Sequence, residues 1–152
     1  MYEVIVVGTD GSETAGVAVQ HATALAQLSD ATLHIVHAHQ PLSASHAAMG
    51  ASSGLQTIDV EQVNAGIAAD SNSVCEHAAS AAKRDGVRVE THPRPGDAAG
   101  ALIGVAEEVG ADLIVIGNRG MSGARRFMLG SVPNKVSHHC PCSLLIVDTT
   151  AH

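Results

Sequence analysis

Aromatic residues are almost absent from this chain, which has one Tyr, one Phe and no Trp among its 152 residues. Proteins that bind single-stranded nucleic acids usually stack the bases on aromatic rings, and this composition removes that platform. The formal net charge of −7 also opposes contact with a phosphate backbone, which requires a basic surface. We therefore expect no nucleic acid among the partners of the protein.

Long apolar runs and a disulfide pattern are missing as well. No apolar run approaches the ~18 residues that a membrane span requires. The three cysteines, Cys75, Cys140 and Cys142, are an odd count without regular spacing, which is typical of a reducing compartment. The N-terminal segment has neither the basic start nor the small-residue cleavage site of a signal peptide. We expect a cytoplasmic protein with no membrane partner.

Aliphatic residues are abundant, since hydrophobic residues make up 45% of the chain. Five short apolar runs rich in β-branched residues are typical of parallel strands buried on both faces. These runs are 3–8, 32–38, 87–91, 112–117 and 143–148. Helical patterns alternate with them at 13–29, 60–86, 97–110 and 131–139. The alternation predicts a single doubly wound α/β domain over residues 1–152.

Two details of this prediction concern particular segments. The apolar spacing of the first helix places five residues roughly along one face, namely Val17, His21, Ala24, Leu25 and Leu28. Residues 40–58 are small, polar and rich in Gly, Ser and Ala, and they interrupt the alternation of strands and helices. That composition is typical of a mobile loop.

Positive charge and glycine concentrate in one segment of this acidic chain. Residues 113–147 contain no Asp or Glu, yet they hold half of all Lys and Arg. These cations are Arg119, Arg125, Arg126 and Lys135. The glycines let backbone N–H groups approach a ligand closely, and a helix that opens at Gly130-Ser131 offers its N-terminus to an anion. The segment favours phosphate binding over the other interpretation, an ordinary solvated loop with a capping serine.

The glycine spacing separates this segment from the commonest phosphate motifs. It reads Gly117-x2-Gly120-x9-Gly130-Ser131, so it is neither a P-loop nor a dinucleotide fingerprint. Together with VVGTDGSE at 6–13, VHA at 36–38 and CPCSLLIV at 140–147, it resembles the universal stress protein family, in particular its ATP-binding branch. The resemblance spans residues 3–147 apart from 40–58.

The resemblance implies a Rossmann-like fold, a ligand and an assembly. The implied sheet has five parallel strands in the order 3-2-1-4-5 with helices on both faces. The implied cofactor is ATP, to which Mg²⁺ can be bound, and the implied partner is a second copy of the chain, paired through strand five (143–147). The nucleotide-binding residues carried over by motif are Gly8, Thr9, Asp10, Ala38, Ile116, Gly117, Arg119, Gly120, Arg126, Gly130, Ser131 and Val132.

Roles within this set follow from the same resemblance. Gly8, Thr9 and Asp10 would line the adenine and ribose, and the backbone of Ala38 would meet the adenine. The glycines of the motif and the start of the last helix would hold the phosphates. Some roles have alternatives. Asp10 suits capping of the first helix, with Ser12, as well as ribose binding, and any single arginine in the motif could be a solvated surface charge.

Catalytic and metal-binding patterns are not apparent. The chain has ten histidines, but the cluster at 138–142 matches no zinc template and its adjacent residues do not share one metal readily. We expect no metal ligands among the side chains. No nucleophile–base pair stands out, and the motif has no carboxylate to orient water, so we expect a nucleotide-binding protein rather than an enzyme. The alternatives are a module for AMP or cyclic AMP, an adenylate-forming enzyme of the adenine-α-hydrolase group, and a partner protein whose site is vestigial.

Overall fold

A computed structural model describes residues 1–52, 54, 58–118 and 129–149 of the chain. Strands and helices alternate along these residues except for one pair of successive helices. The elements are β1 (Val4–Gly8), α1 (Glu13–Ser29), β2 (Thr32–His39), α2 (Ala44–Ser52), α3 (Val60–Arg84), β3 (Arg88–Pro95), α4 (Ala98–Val109), β4 (Leu113–Gly117), α5 (Ser131–His139) and β5 (Ser143–Val147). Among the described residues, no helix is both long enough and apolar enough to cross a membrane.

The five strands form one parallel sheet in the order β3-β2-β1-β4-β5. β1 is the central strand, and Val7 pairs with Ile35 on one side and with Val115 on the other. From β1 the chain first adds strands in one direction, through β2 to β3, and then in the opposite direction, through β4 to β5. The order therefore reverses between β1 and β4, and the predicted fold class is confirmed.

Helices cover both faces of this sheet. One core lies between the sheet and helices α1 and α3, and the other lies between the sheet and helices α4 and α5. Ile5, Val6 and Val7 are fully buried because successive side chains of a strand point into the two cores in turn. This explains why the central strands are continuous apolar runs rather than alternating ones.

The buried face of α1 differs from the predicted one. Small residues line it, and the largest side chains of the predicted face lie at its margin or in solvent. The residues that pack inward are Ala15, Ala18, Val19, Ala22, Thr23 and Ala26. Leu28 is 80% exposed, and His21 and Ala24 are also exposed, so the face predicted from the spacing is not the one that packs on the sheet. Alanine and valine let the helix lie close to the sheet, and periodicity alone favoured the bulkier side chains instead.

The segment 40–58 contains a helix where we expected a loop. α2 spans Ala44–Ser52, and the Ser43 side chain accepts a hydrogen bond from the backbone N–H of His46 at 3.4 Å, as a capping serine does. Alanine has the highest helix propensity of all residues, and the segment 44–52 contains four of them. Polarity and small size were therefore misleading indicators of irregular structure.

β3 is longer than predicted and continues through two prolines. The strand runs to Pro95, and Pro93 pairs with His37 on β2. Proline has no N–H to donate, so it is tolerated in a sheet only at an edge. β3 is an edge strand, which explains how the pairing passes the point where the apolar run ends.

Asp112 forms hydrogen bonds to the amino-terminal ends of β1 and β5. One of its carboxylate oxygens accepts hydrogen bonds from the backbone N–H groups of Glu3 (2.8 Å) and Val4 (2.9 Å), which lead into β1. The backbone of Asp112 also bonds to Val4 and to Ser143, at the start of β5. These N–H groups, that of Glu3 first, hold the pKa of Asp112 below its ordinary value.

This depressed pKa predicts a pH-dependent contribution to stability. A carboxyl group whose folded-state pKa lies below its unfolded value stabilises the fold fully above the unfolded value, and the contribution disappears as the pH falls through the folded value. Asp112→Asn should therefore lower the melting temperature at pH 7, and the difference from the wild type should shrink as the pH is lowered from 5 to 2. Thermal melts across this range, with the surface variant Asp70→Asn as the control for loss of one charge, would show it. A constant difference at all pH values would contradict the assignment.

Candidate functional site

The sheet divides at the carboxyl ends of its two middle strands. The pairing of β1 with β4 ends at Val7 and Val115. Beyond it, Gly8 remains paired with β2, and Gly117 remains paired with Val147 on β5. The two halves of the sheet thus part where the strand order reverses, which is the position at which doubly wound sheets bind their ligands. Gly8 and Gly117, two of the predicted site residues, lie at these strand ends.

Gly8 and Thr9 form the first wall of this opening. A Cβ atom on Gly8 would lie 3.0 Å from Cδ1 of Leu102 on α4, so packing against the helix already requires a small residue. The backbone N–H of Thr9 donates to the carbonyl of Val36 at 2.9 Å and extends the pairing with β2. Gly11 follows with φ = 78°, a conformation that favours glycine, and turns the chain into α1.

Asp10 helps to cap α1, which is one of the two roles that the sequence allowed for it. Its Oδ1 accepts a hydrogen bond from the N–H of Ser12 at 2.9 Å, and the Ser12 hydroxyl in turn accepts from the N–H of Ala15 at 3.1 Å. Ser12 is the N-cap of α1. The carboxylate is exposed at the carboxyl end of the sheet, so its structural role is compatible with the predicted contact to a ribose hydroxyl.

The end of β2 contributes Ala38 and a histidine that the sequence analysis did not select. His37 precedes Ala38, and its Nδ1 lies 2.7 Å from the hydroxyl of Ser71 on α3. Burial lowers the pKa of His37, the neighbouring His39 lowers it further, and the negative charge of Asp10 acts in the opposite direction. The electrostatic coupling indicates that Asp10 and the end of β2 flank the same space. The position of His37 directly before Ala38 was the signal that could have identified it.

Asn118 joins three segments at the end of β4 and was also missed. Its backbone N–H donates to the carbonyl of Val147 at 2.8 Å, and its own carbonyl accepts from the N–H of Gly130 at 3.2 Å. Its side-chain amide donates to Asp148 at 3.0 Å, and its Oδ1 accepts from the N–H (3.1 Å) and the hydroxyl (2.9 Å) of Thr149. These bonds hold β4, the end of β5 and the start of α5 together. The position of Asn118 between Gly117 and Gly120 in the sequence was the signal that could have identified it.

The N-terminus of α5 is the other wall of the opening. Gly130 is its N-cap and supplies no side-chain hydrogen bond, whereas Ser12, Asp59 and Asp97 cap α1, α3 and α4. We had expected the N–H of Gly130 to donate to a phosphate. In this structure it donates to the carbonyl of Asn118 instead.

Two N–H groups remain in the first turn of α5. They belong to Ser131 and Val132, because Pro133 has none. The Ser131 side chain is exposed, whereas Val132 packs against the core under α4 and α5. Any contact from Val132 to a ligand would therefore come from its backbone.

Other predicted residues fall in the core or outside the described part of the chain. Ile116 is 3% exposed and packs under α4 and α5, which leaves only its backbone for a ligand. Arg119, Gly120 and Arg126 lie outside the described residues.

Lys135, which contributed to the positive charge of the motif segment, forms an ion pair with Asp97 at 2.9 Å. Asp97 also accepts from the N–H of Gly100 at 3.0 Å. The Gly100 N–H first, and then Lys135, lowers the pKa of Asp97. Lys135 thus ties α5 to α4.

Cys140 and Cys142 lie between α5 and β5. The thiols of Cys140 and Cys142 both point to the carbonyl of Ser143, at 3.8 and 3.5 Å. Burial, with a further contribution from Cys140, raises the pKa of Cys142 to about 11. A thiol with this pKa is protonated at neutral pH and is a weak nucleophile.

The strand order, and the glycines where the middle strands part, are those of a doubly wound α/β domain with an opening at its switch point. The model of the universal stress protein family matches residues 1–148. Universal stress protein Rv1636 of Mycobacterium tuberculosis is 36% identical over 150 residues, which are 98% of each chain. Universal stress protein YxiE of Bacillus subtilis is 31% identical over 147 residues, which cover 97% of this chain and 99% of the relative. The chain belongs to the universal stress protein family, as its sequence motifs predicted.

Solved structures agree with this assignment. The crystal structure of a universal stress protein in complex with cAMP has 33% sequence identity and a TM-score of 0.72, and the match covers 98% of both chains.

The position of Asn118 predicts a measurable role in stability. Asn118→Ala would leave the hydroxyl of Thr149, a residue that is 3% exposed, without its acceptor. We expect the free energy of unfolding to fall by about 1–3 kcal/mol, the usual cost of an unpaired buried polar group. Urea denaturation would measure it, with Asn134→Ala on the exposed side of α5 as the control. Equal effects of the two substitutions would contradict this role.

Proposed function

We propose that this protein binds an adenine nucleotide between the carboxyl ends of β1 and β4, with ATP as the preferred ligand. The observation that carries the proposal is the hydrogen bond from Gly130 to the carbonyl of Asn118 at 3.2 Å. It brings the two ends of the glycine motif, which are ten or more residues apart in sequence, to one side of the opening in the sheet. The complex of a 33% identical relative with cAMP supports an adenine nucleotide as the class of ligand.

The phosphates would bind at the N-terminus of α5. The N–H groups of Ser131 and Val132 and the Ser131 hydroxyl are hydrogen-bond donors there, and the helix dipole adds partial positive charge. No Asp or Glu occurs between residues 113 and 147 to repel an anion. Arg119 and Arg126, which flank the motif glycines in sequence, would supply the positive charge that a triphosphate requires, and a Mg²⁺ ion could bridge the phosphates.

The nucleoside would lie toward β1 and β2. The backbone of Gly8 and Thr9 would line the nucleoside, and the carboxylate of Asp10 would accept a hydrogen bond from a ribose hydroxyl. Ala38, at the end of β2, would present backbone groups to the adenine edge. His37, held by Ser71 at 2.7 Å, would fix the end of β2 beneath the base.

Cyclic AMP or AMP is the second candidate ligand, and the complex of the relative with cAMP favours it. The two candidates differ in the charge that must be neutralised. A triphosphate needs the arginines of the motif, whereas a single cyclic phosphate needs only the α5 N-terminus. We further propose that the protein is a binding module rather than a fast enzyme, because the motif has no carboxylate that could hold Mg²⁺ or orient an attacking water.

Calorimetric titration with ATP, ADP, AMP and cAMP, each with and without Mg²⁺, tests the proposal. We expect ATP to bind most tightly. Ser131→Ala should weaken ATP binding by about tenfold or more, because a hydrogen bond to a charged group contributes about 1.5–3 kcal/mol. Gly117→Val should abolish binding. Ser137→Ala, on the same helix and equally exposed, is the matched control and should bind as the wild type does.

The outcomes distinguish the candidates. Tighter binding of cAMP than of ATP would replace the first candidate by the second. No binding of any of the four nucleotides would overturn the proposed function. If Ser131→Ala and Ser137→Ala weakened ATP binding equally, the phosphates would not bind at the N-terminus of α5.

We also propose that two copies pair through β5. This edge strand is apolar, and its Leu144, Leu145 and Ile146 are only partly buried. An edge of this kind, without charge or internal proline, favours pairing with another strand. Leu145→Lys or Ile146→Lys should convert the protein from a dimer to the 15.4 kDa monomer.

Light scattering on variants shown to be folded by circular dichroism would measure this change. Val89→Lys is the matched control, since Val89 is a partly buried residue on the opposite edge strand, β3. An unchanged dimer mass in both β5 variants, or a monomer in all three, would contradict pairing through β5.

A further inference from the structure

Three side chains that are suited to bind a metal ion converge on the β2–β3 half of the sheet. His34 lies in the middle of β2 and pairs directly with Glu90 on β3, and His92 follows Glu90 by two positions. Because side chains of a strand alternate between faces, all three project from the same face, the one that carries α4. α4 covers the centre of this face, and the exposed side chain of Glu90 (64%) marks the uncovered margin.

The ligand atoms of these residues are already close together. Nδ1 of His34 lies 2.9 Å from Nε2 of His92 and 3.7 Å from Oε2 of Glu90. All three ligand atoms fall within 4.8 Å of one another. In a tetrahedral site with metal–ligand distances of about 2.0–2.1 Å, neighbouring ligand atoms are about 3.3 Å apart. The observed separations lie on either side of that value.

From this geometry we propose that His34, Glu90 and His92 form a binding site for a divalent transition-metal ion, with Zn²⁺ as the best fit. Two imidazoles and one carboxylate are a ligand set that Zn²⁺ uses in proteins, with water in the fourth position. Imidazole nitrogen favours Zn²⁺, Cu²⁺ and Ni²⁺ over Mg²⁺ and Ca²⁺, which prefer oxygen ligands. The site is separate from the nucleotide and does not rest on the proposed function.

The site is partly preorganised. His34 is 5% exposed, so its ring is held by its surroundings, and the ring centroids of His34 and His92 are 5.1 Å apart. Nδ1 of His34 and Nε2 of His92 share a hydrogen bond at 2.9 Å, which a bound ion would replace. Glu90, on the open side, can complete the coordination by a small side-chain movement.

Two arginines lie near the site, and each of them is paired with an acidic residue. Arg94 is the nearest positive group, with Nη2 at 3.4 Å from Nδ1 of His92. It donates two hydrogen bonds to the carboxylate of Glu108, at 2.9 and 3.1 Å, so its charge is paired. Arg88 is likewise paired with Asp30 at 3.3 Å. The carboxylate of Glu90 is the negative group of the proposed ligand set, and it lies 3.7 Å from Nδ1 of His34.

The site departs from the sequence expectation for a physical reason. The histidines that attracted attention at 138–142 are neighbours in sequence, whereas His34 and His92 are 58 residues apart. They meet only because β2 and β3 pair in one particular register. Within the part of the chain that the structure describes, this is the one group of His, Cys, Asp or Glu side chains close enough to share a metal ion.

Zn²⁺ titration of the tag-free, full-length protein against a chromophoric chelator tests the site. We expect one Zn²⁺ per chain. Glu90→Gln and His92→Gln should each weaken binding by at least about tenfold, since even the loss of groups behind the ligands costs 10- to 100-fold in affinity. Both residues are partly or largely exposed, so the variants should remain folded, which circular dichroism can verify. The double variant His138→Gln, His139→Gln is the matched control and should bind as the wild type does.

Co²⁺ provides a second readout of the coordination. The wild type should give the intense visible absorption of tetrahedral cobalt, and His92→Gln should lose it. Zn²⁺ affinity that is unchanged in both Glu90→Gln and His92→Gln would overturn the proposal. So would loss of the bound ion in the His138, His139 double variant, because that result would place the metal at the other histidine cluster. ATP binding is measured separately, so failure of the nucleotide proposal leaves this test intact.

Discussion

The burial of β1 on both faces and along both edges is the constraint on which the rest of the structure depends. Ile5, Val6 and Val7 have no exposed surface, and their backbone groups are paired with β2 and with β4. A strand in this position forces the chain to add later strands on either side of it. The reversal of strand order, and hence the opening at the carboxyl ends, follows from the central position of β1 rather than from any residue of the site.

The opening becomes a defined site because side chains outside the glycine motif hold its margins. Asn118 fixes the start of α5 to the ends of β4 and β5 through five hydrogen bonds, and the Lys135–Asp97 ion pair fixes the same helix to α4. Together they direct the first turn of α5 at the gap in the sheet. The positive end of the helix is thereby held in a fixed position, which would lower the entropic cost of binding the proposed nucleotide.

Sequence reasoning predicted the parts of this protein that depend on local pattern. The apolar runs indicated all five strands, and the motifs indicated the family and the strand order. It failed where a residue's surroundings come from distant parts of the chain. The buried face of α1 is made of alanines, because the sheet lies close, and leaves Leu28 in solvent. Likewise, the interactions of Asn118 depend on β5 and α5, which no local window includes.

The two edge strands of the sheet, β3 and β5, differ in the backbone N–H groups that they offer to a further strand. β3 carries Pro93 and Pro95, which have no N–H groups, so this edge presents an interrupted row of donors to any further strand. β5 carries no proline and keeps a complete row.

The side chains on the faces of β3 and β5 also differ, because those of β3 are largely polar and those of β5 are apolar. On the β3 side, polar side chains occupy much of the face, and Arg94 forms an ion pair with Glu108 of α4. On the β5 side, Leu144 and Ile146 pack toward α4 and α5 while Leu145 packs toward α1, so both faces are apolar. One edge is therefore suited to side-chain chemistry and the other to pairing of backbones, although both belong to the same parallel sheet. The difference arises from where the helices lie, and their placement follows in turn from the central position of β1.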